Sequence, residues 1–464
     1  MIARALLFGL AGTLAGALAS PALAEVRHEP RPYVQFANAP WTHDAVIYQV
    51  NTRQFTRQGT LRAASAHLPR LAAMGVDIVW LMPIHPIGEV NRKGTLGSPY
   101  AVKDYRAINP DLGQDADLKD FVDKAHSLGM KVILDWVANH SAWDNPLTRT
   151  HPEWYQRNPE GEMMPPEGTD WSDVVAFDYA HPGLRTYMAG SLAYWVREFG
   201  IDGYRADVAG YVPLDFWEQA RAQLNEIKSV FMLAEWEQRD LHARAFDATY
   251  AWEWKQVMQK IVRGQADAGA MRGYYAGQNT TWPRAAYRMV YTDNHDQNAW
   301  DGVASDIFGE AYPAAIALSF TGLGIPLIHN GQEADLDHKL AFFDKDEIVW
   351  KQGRHETLLR QLIALKTAET ALHNGRHGGV QIDVPNSAPG AVLSFVRERG
   401  ASRVFAVFNL SAKPQQVHFT LARHHGAYVD ALSGQAAEFT AQTPAMSLPP
   451  WGFRLYRLNA ANPR

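Results

Sequence analysis

The stretch FGIDGYRADVAG, residues 199–210, decides the fold because it combines an apolar strand pattern with two charges. Arg205 and Asp207 lie two residues apart in it, so they share one face of the strand. In a parallel sheet that is covered on both faces, such a charged pair has to be explained. It is either a structural salt bridge or a carboxylate held for chemistry, and the pair alone favours the salt bridge.

Short apolar runs alternate with helical patterns on both sides of this stretch, over residues 45–375. The candidate strands are residues 45–50, 77–83, 131–137, 203–207, 231–235, 247–252, 288–293 and 324–329. Residues 118–128 and 188–199 place their apolar side chains on one helical face. Seven or eight such repeats predict an α/β fold, a parallel (β/α)8 TIM barrel, with an open doubly wound sheet as the alternative.

Two segments interrupt or follow this alternation. Residues 141–182 are rich in Pro, Gly, Asp and Trp and predict a loop-built excursion after the third strand. Residues 376–460 change to alternating apolar and polar positions separated by Gly, Pro and Asn turns. This pattern predicts a second, C-terminal domain, an antiparallel β-sandwich.

The composition limits the classes of partner. The chain has 464 residues, of which 47 % are hydrophobic and 20 % charged, enough for a large core. Its formal net charge is −5 and it contains no run of Lys and Arg. This balance argues against nucleic acid or an anionic membrane surface as a partner, and favours a neutral substrate. The absence of cysteine means that the chain has no disulfides.

The N-terminus resembles an export signal. The charged start MIAR is followed by an apolar stretch and by Ala22-Leu23-Ala24, a small-x-small cleavage pattern. A membrane anchor is the alternative, but the stretch is short and is broken by three glycines. We therefore predict a signal peptide over residues 1–24 and a periplasmic or extracellular protein with no membrane association after cleavage. The oligomeric state is left open by the sequence.

Acidic residues recur where the predicted barrel strands end, and catalytic groups of such barrels lie at the carboxyl ends of the strands. The residues collected there are Asp135, His140, Arg205, Asp207, Glu235, His295 and Asp296, with Tyr100 in the loop after the second strand. Like charges repel, so clustering these carboxylates does not stabilise the fold and indicates a function. Retaining glycoside hydrolysis uses two carboxyl groups about 5–5.5 Å apart. Neighbouring strands, about 4.8 Å apart, can supply that spacing.

Two of these carboxylates have surroundings that differ. Arg205 shares a strand face with Asp207 and would keep its carboxylate ionised and aimed, as a nucleophile needs. Glu235 lies between Ala234 and Trp236, an apolar setting that raises a carboxyl pKa and favours a proton donor.

At these residues the chain resembles the α-amylase family of glycoside hydrolases. The motifs DWVANH (135–140), GYRADVA (203–209), LAEW (233–236) and YTDNHD (291–296) occur in the family's order. Two further stretches, SPYAVKDY (98–105) and VVAFDYAHP (174–182), resemble additional family motifs. The resemblance covers residues 45–460.

The resemblance assigns a role to each of these residues. It implies that Asp207 is the nucleophile, Glu235 the general acid/base and Asp296 the third catalytic carboxylate. It also implies that His140 and His295 hydrogen-bond the sugar, that Tyr100 stacks on it, and that Arg205 and Asp135 support the site. Asp207 is then the nucleophile, and Arg205 is the residue that positions it.

One departure from the family pattern concerns acceptor contacts and calcium. Where many amylases have Lys-His after the nucleophile, this chain has Gly210 and Tyr211. Asn139 matches a usual calcium ligand of the family, but the excursion is short. We therefore expect no required cofactor and no tightly held calcium, although calcium binding through Asn139 stays possible.

Several functions remain open at the level of the sequence. The first is retaining hydrolysis of α-glucosidic bonds, chiefly α-1,4, in starch-type glucans or maltooligosaccharides, by an amylase or an α-glucosidase. The second is transglycosylation or isomerisation through the same covalent intermediate. A non-catalytic glucan-binding protein is disfavoured by the presence of all three carboxylates. A metal-dependent hydrolase is disfavoured by the scattered histidines.

Overall fold

The computed structural model describes residues 32–459, and of these residues 34–459 belong to one compact unit. The predicted signal peptide, residues 1–24, lies outside the described residues. None of the helices in residues 32–459 is both long and apolar enough to cross a membrane.

Eight parallel strands form a closed barrel in sequential order, with the last strand paired to the first. The strands are β1 (Ile47–Val50), β2 (Ile78–Leu81), β3 (Lys131–Trp136), β4 (Gly203–Ala206), β5 (Phe231–Ala234), β6 (Ala248–Tyr250), β7 (Tyr287–Tyr291) and β8 (Ile325–His329). Each of them overlaps a predicted strand. The closed barrel confirms the predicted fold class and excludes the open sheet.

The barrel strands are apolar on both sides because each side faces its own core. In β2, Ile78 and Trp80 belong to the cluster inside the barrel, whereas Val79 and Leu81 pack outward under the helices. Alternation along a strand sends neighbouring side chains to opposite faces, so a strand between two apolar layers becomes a continuous apolar run.

Helices surround the barrel and connect successive strands. They are α1 (Thr52–Phe55), α2 (Leu61–Ser65), α3 (Leu68–Met74), α4 (Asp115–Ser127), α5 (Leu147–Thr150), α6 (Pro182–Phe199), α7 (Leu214–Ile227), α8 (Trp252–Val262), α9 (Ala268–Thr281), α10 (Ala304–Phe308), α11 (Tyr312–Thr321) and α12 (Arg354–Ala368). The helix before β4 illustrates how the sequence sets helix ends: α6 begins at Pro182 and ends at Phe199, and it is capped by Gly200, whose φ is +71°. Proline suits the first helical turn, and glycine adopts the left-handed conformation that ends a helix.

The excursion after β3 contains a short antiparallel pair in addition to loops. The strand His140–Ala142 pairs with Val174–Ala176, in the register His140 to Ala176. This ladder holds the excursion against the carboxyl end of β3 and fixes the backbone of His140.

The C-terminal region consists of antiparallel sheets, as predicted. Its strands are β9 (Val380–Asp383), β10 (Val392–Arg399), β11 (Ser402–Asn409), β12 (Gln415–Val417), β13 (Gly426–Asp430), β14 (Ala436–Phe439), β15 (Met446–Leu448) and β16 (Phe453–Leu458). Six of them form one sheet, and β12 and β15 form a two-stranded sheet. The two sheets share an apolar cluster that includes Val417, Leu448 and Phe405. The predicted boundary between residues 375 and 376 stays a prediction.

One buried arginine joins this region to the barrel. Arg397 on β10 is 1 % exposed and donates to the backbone oxygens of Thr321 and Gly322, just before β8. A charged side chain buried at this depth is stabilised by such carbonyl partners. Arg397 therefore links the C-terminal region to the segment that leads into β8.

Candidate active site

A cavity of about 520 Å³ opens at the carboxyl ends of the barrel strands. Its volume lies within the range of about 300–1,000 Å³ that is usual for small-molecule sites. The residues that line it are Lys93, Ser98, Tyr100, His140, Asp170, Trp171, Asp173, Val174, Asp207, Val208, Glu235, Asp296, Trp300, Phe342 and Phe343. Carboxylates and aromatic rings thus face the same space.

The floor of the cavity is organised by one guanidinium group. Arg205, fully buried on β4, donates from Nη1 to Asp135 Oδ1 and to Asp207 Oδ1, both at 2.8 Å. Its Nη2 lies 2.8 Å from Glu235 Oε1. The pair noticed in the sequence is therefore part of a cluster of three carboxylates around one arginine, contributed by β3, β4 and β5.

The backbone of this cluster is set by the barrel ladder. Asp135 is paired with Arg205 across β3 and β4, and Ala206 is paired with Ala234 across β4 and β5. Beyond the last paired residues, the Asp207 amide donates to the Trp136 oxygen and the Glu235 amide to the Ala206 oxygen, both at 3.0 Å. The backbones of Asp207 and Glu235 therefore extend the hydrogen-bond pattern of the sheet by one residue.

Burial of three carboxylates around one cation changes their titration. Burial raises the pKa of Asp135, Asp207 and Glu235, and the Arg205 guanidinium lowers each of them in part. Arg205 donates well-directed hydrogen bonds to Asp135 and Asp207, but the Nη2 hydrogens do not point at Glu235. Of the three, Glu235 is therefore best placed to hold a proton.

A strained turn links the nucleophile candidate to the acid candidate. Val208 follows Asp207 with φ +36°, and its amide donates to Glu235 Oε2 at 2.8 Å. A β-branched residue rarely adopts positive φ, and such strain persists where the surroundings enforce it. Here the enforced turn brings a backbone donor to Glu235.

Tyr100 and His295 form a hydrogen-bonded chain beside this cluster. The Tyr100 hydroxyl donates to Asp135 Oδ2 at 3.1 Å and lies 2.6 Å from His295 Nε2. Gln49 Nε2 lies 2.7 Å from His295 Nδ1. Burial lowers the pKa of His295 to about 3, so the ring is neutral. These contacts fit a ring that donates from Nε2 and accepts at Nδ1. Gln49 was not predicted; a polar residue in the apolar strand β1 was its only signal.

His140 and Asp296 complete the set of predicted site residues. Burial lowers the pKa of His140 to about 3, so this ring is also neutral. Asp296 has a 41 % exposed side chain, in contrast to the 9 % and 12 % of Asp207 and Glu235. The cluster, the tyrosine–histidine chain and the cavity lining together place all eight predicted residues at one site, whereas their individual roles stay predictions.

Asn139 does not lie in a carboxylate cage. Its Nδ2 lies 3.2 Å from His140 Nδ1. Among residues 32–459, no group of three or more His, Asp or Glu side chains is arranged to hold a metal ion. Calcium binding through Asn139 stays a prediction.

Aromatic residues from the segments beyond the strand ends form the upper walls, and most of them were missed by the sequence analysis. Phe342 lies parallel to Tyr100 with ring centres 6.1 Å apart, and Trp300, 54 % exposed, lies 5.1 Å from Phe342. Trp171 in the excursion lies 5.4 Å from the His140 ring. Flat rings of this kind complement the apolar faces of sugars.

The departure at residues 210 and 211 has a structural cause. A Cβ atom at Gly210 would lie 2.1 Å from Cε2 of Trp236, so glycine is required while Trp236 keeps its place. Trp236 also lies 5.3 Å from the ring of Tyr211, which is 50 % exposed. Gly210 and Tyr211, which stand in place of Lys-His, thus leave room for Trp236 and give it an aromatic neighbour beside Glu235.

Comparison with known proteins supports a common origin. The model of the alpha amylase catalytic domain matches residues 36–371, and that of the maltogenic amylase C-terminal domain matches residues 384–455. The alpha-amylase MalA of Haloarcula japonica is 28 % identical over 416 residues, which are 83 % of this chain but 58 % of MalA. The chain thus spans little more than half the length of this relative.

Two solved structures align over most of their own length. The maltogenic alpha-amylase AmyB of Thermotoga neapolitana superposes with a TM-score of 0.82 and 31 % identity, covering 89 % of this chain and 98 % of that one. An alpha-amylase of Lactobacillus plantarum superposes with a TM-score of 0.80 and 33 % identity, covering 90 % and 100 %. The chain belongs to the alpha-amylase family of glycoside hydrolases.

Proposed function

We propose that this protein hydrolyses α-glucosidic bonds, chiefly α-1,4, in starch-type glucans or maltooligosaccharides with retention of configuration. The observation that carries the proposal is the placement of Asp207 and Glu235 on adjacent strand ends, both in contact with Arg205. A retaining glycosidase needs one ionised carboxylate and one proton-bearing carboxyl group at short range.

In the first step, Asp207 attacks the anomeric carbon while the bond from that carbon to the glycosidic oxygen breaks. Glu235 transfers its proton to the departing oxygen, so the leaving sugar departs as an alcohol. The product is a β-linked glycosyl ester on Asp207, and Glu235 is left ionised. Burial around Glu235 favours this role because it raises the pKa of the carboxyl group.

In the second step, Glu235 removes a proton from a water molecule that attacks the same carbon. The ester bond to Asp207 breaks, Asp207 returns to its carboxylate form, and the sugar is released with the α configuration. The two inversions together retain the original configuration.

Neutral donors and one exposed carboxylate assist both steps. His140 and His295 are uncharged, so neither ring opposes the positive charge that develops on the sugar. His140 lines the cavity and can hydrogen-bond a sugar hydroxyl, whereas both nitrogens of His295 are engaged by Tyr100 and Gln49, so His295 acts by holding Tyr100 in place. Asp296, on the cavity wall, supplies negative charge near the same position. Tyr100 offers its ring as a platform, held by its hydroxyl contacts to Asp135 and His295.

Transfer to a second sugar is the alternative outcome of the same intermediate. The aromatic pair Tyr211 and Trp236 lies on the Glu235 side, where the leaving sugar departs and an acceptor enters. An apolar platform there favours a sugar over water as the acceptor. We therefore keep transglycosylation as the second candidate function.

We also propose that the chain is exported, with removal of residues 1–24, because of its charged start, apolar stretch and small-x-small pattern. N-terminal sequencing of the protein from the periplasm and the medium of the producing cells tests this proposal. A mature chain that begins near Glu25 would support it, and an intact Met1 would contradict it.

The activity is tested by a time course on maltoheptaose and maltose, with products separated by size and their first-formed anomer identified by NMR. Shorter α-configured products support retaining hydrolysis. Glucose release from maltose would identify an α-glucosidase, and products longer than the substrate a transglycosylase. A first-formed β anomer, or no reaction with either substrate, would contradict the proposal.

A further inference from the structure

One lysine ties together three segments at the edge of the cavity. Lys93, in the loop after β2, lines the cavity and places its Nζ 3.3 Å from Asp173 Oδ1 in the excursion. The same Nζ donates to the Asp170 backbone oxygen at 3.1 Å and lies 6.0 Å from the centre of the Phe343 ring. Asp173 also lines the cavity, and its side chain is 6 % exposed.

The loops after β2 and β8 are themselves joined at this point. The Leu96 amide donates to the Phe343 oxygen at 3.0 Å, and the Thr95 amide donates to Asp344 Oδ1 at 2.7 Å. Phe343 is therefore held in place beside Lys93. Together, Lys93, Asp173 and Phe343 form a continuous wall, which we call the end wall.

The order of the barrel strands locates the end wall relative to the chemistry. In the closed ring of eight, β5 lies opposite β1, and β1 is flanked by β2 and β8. The loops after β2 and β8 therefore face Glu235 across the cavity. The proton donor of a glycosidase lies on the side of the leaving group. The end wall consequently lies on the donor side, beyond the sugar that becomes attached to Asp207.

We propose that the ion pair of Lys93 and Asp173, backed by Phe343, closes the donor side, so that the enzyme removes short units from the non-reducing end of a glucan. This inference rests on the proposed hydrolysis or transfer of α-glucosidic bonds. A closed donor side leaves no path for a chain that continues past the end wall, which disfavours cleavage in the middle of long chains. The side of Glu235 has no part in the wall, so long leaving groups are accepted.

The direct test needs no variant. Maltoheptaose and the same sugar blocked by a 4,6-ethylidene group on its non-reducing glucose are compared as substrates for the parent enzyme. The blocked sugar is expected to react at least roughly tenfold more slowly, because even small groups are discriminated by closed pockets. Equal rates for the two sugars would overturn the inference. No reaction with either sugar would instead show that the proposed function has failed.

A double variant then identifies the residues responsible. K93A/D173A removes both members of the ion pair, so no buried carboxylate is left without its partner. The variant is expected to raise the rate on the blocked sugar roughly tenfold relative to the rate on the unblocked sugar. An unchanged ratio in a folded, active variant would remove Lys93 and Asp173 from this role.

Lys103 provides the matched control. It also joins the loop region after β2 to the excursion, through Asp144 at 3.1 Å, but it does not line the cavity. K103M is therefore expected to keep the preference of the parent enzyme. The same loss of preference in K103M would mean that anchoring of the excursion, and not the end wall, sets the preference.

Discussion

The strand ends of the barrel and the loops beyond them contribute different kinds of residue to the cavity. Arg205, Asp207 and Glu235 are almost completely buried, and their backbones continue the hydrogen-bonded ladder of the sheet. Trp300 lies in the short π-helical segment Gln297–Asp301 and Phe343 in a loop, both beyond the strand ends, and Trp300 is half exposed. The comparison indicates that the sheet fixes the reacting groups, whereas the loops set which sugars reach them. Substitutions at the strand ends should therefore mainly lower kcat, whereas substitutions in the loops should mainly raise KM and have smaller effects.

The largest effect is expected at the end of β4. Asp207→Asn removes the attacking carboxylate while keeping its size, so kcat should fall by roughly four orders of magnitude. Binding of a maltooligosaccharide, measured by calorimetry, should change little. The exposed Asp215, which pairs with Arg185, supplies the control Asp215→Asn, which should retain full activity. Substantial turnover by Asp207→Asn would exclude Asp207 as the nucleophile.

A smaller and substrate-dependent effect is expected at the end of β5. Glu235→Gln cannot protonate the leaving oxygen, so kcat/KM on maltoheptaose should fall by roughly 10²–10⁴. An activated aryl maltoside needs little protonation, so its glycosylation step should be affected much less. Single-turnover release of the aryl group measures that step. Equal losses on both substrates would argue against acid catalysis by Glu235.

Tyr211 and Trp236 form an aromatic pair beside Glu235, between the strand ends and the loops. A substitution there tests whether this pair contributes to acceptor binding. Gly210→Ala places a Cβ against Trp236 and must displace that ring. Displacement by about 1 Å near the reacting groups can lower kcat/KM by roughly tenfold to a hundredfold. Gly273→Ala is the matched control, because a Cβ there meets no atom within 4 Å. Unaltered kinetics and acceptor preference in Gly210→Ala would show that Trp236 has no part in acceptor binding.

A loop residue should mainly affect substrate binding. Phe342→Leu removes the ring that lies parallel to Tyr100, so KM should rise roughly three- to tenfold with little change in kcat. Val349→Ala, at a 66 % exposed position of the same loop, should leave both constants unchanged. A large loss of kcat in Phe342→Leu would contradict the conclusion that loop residues act mainly on substrate binding.

One further effect is thermodynamic and depends on pH. Burial raises the pKa of Glu235, so the folded state keeps a proton that the unfolded chain loses first as the pH rises. The parent should therefore lose stability between the ordinary glutamate pKa and the raised value, on the order of 1 kcal/mol per pKa unit. Glu235→Gln lacks this loss and should be increasingly more stable than the parent as the pH rises through that window. Urea unfolding at several pH values measures the difference, with the exposed Glu347→Gln as control.

Most of the strand-end region was predictable from the sequence, because the information is local. A continuous apolar run followed by a charged residue marks both a buried parallel strand and its carboxyl end, as in KVILDW and FMLAE. Predicted and observed strands therefore agree closely, even for the three-residue strand β6. The motifs shared with a known family then gave the eight site residues.

The loop region could not be predicted in the same way. Phe342 lies in residues 330–353, which show no periodicity, and it meets Tyr100 through contacts that are distant in sequence. The end wall likewise depends on three separate loops. In the C-terminal region the sequence predicts the change to antiparallel strands, but strands such as β9 and β14 are largely exposed and lack a regular apolar alternation that would mark them individually.

The arrangement of three acids on Arg205 also constrains how this enzyme can change by mutation. Loss of Arg205 alone would leave buried carboxylates uncompensated, at a cost of about 3–5 kcal/mol. Replacement of a single acid disturbs the hydrogen bonds of its neighbours, because Arg205 Nη1 serves both Asp135 and Asp207. The effects of substitutions in this group should therefore be strongly epistatic. A descendant that abandons this chemistry therefore has a narrow set of viable mutational orders.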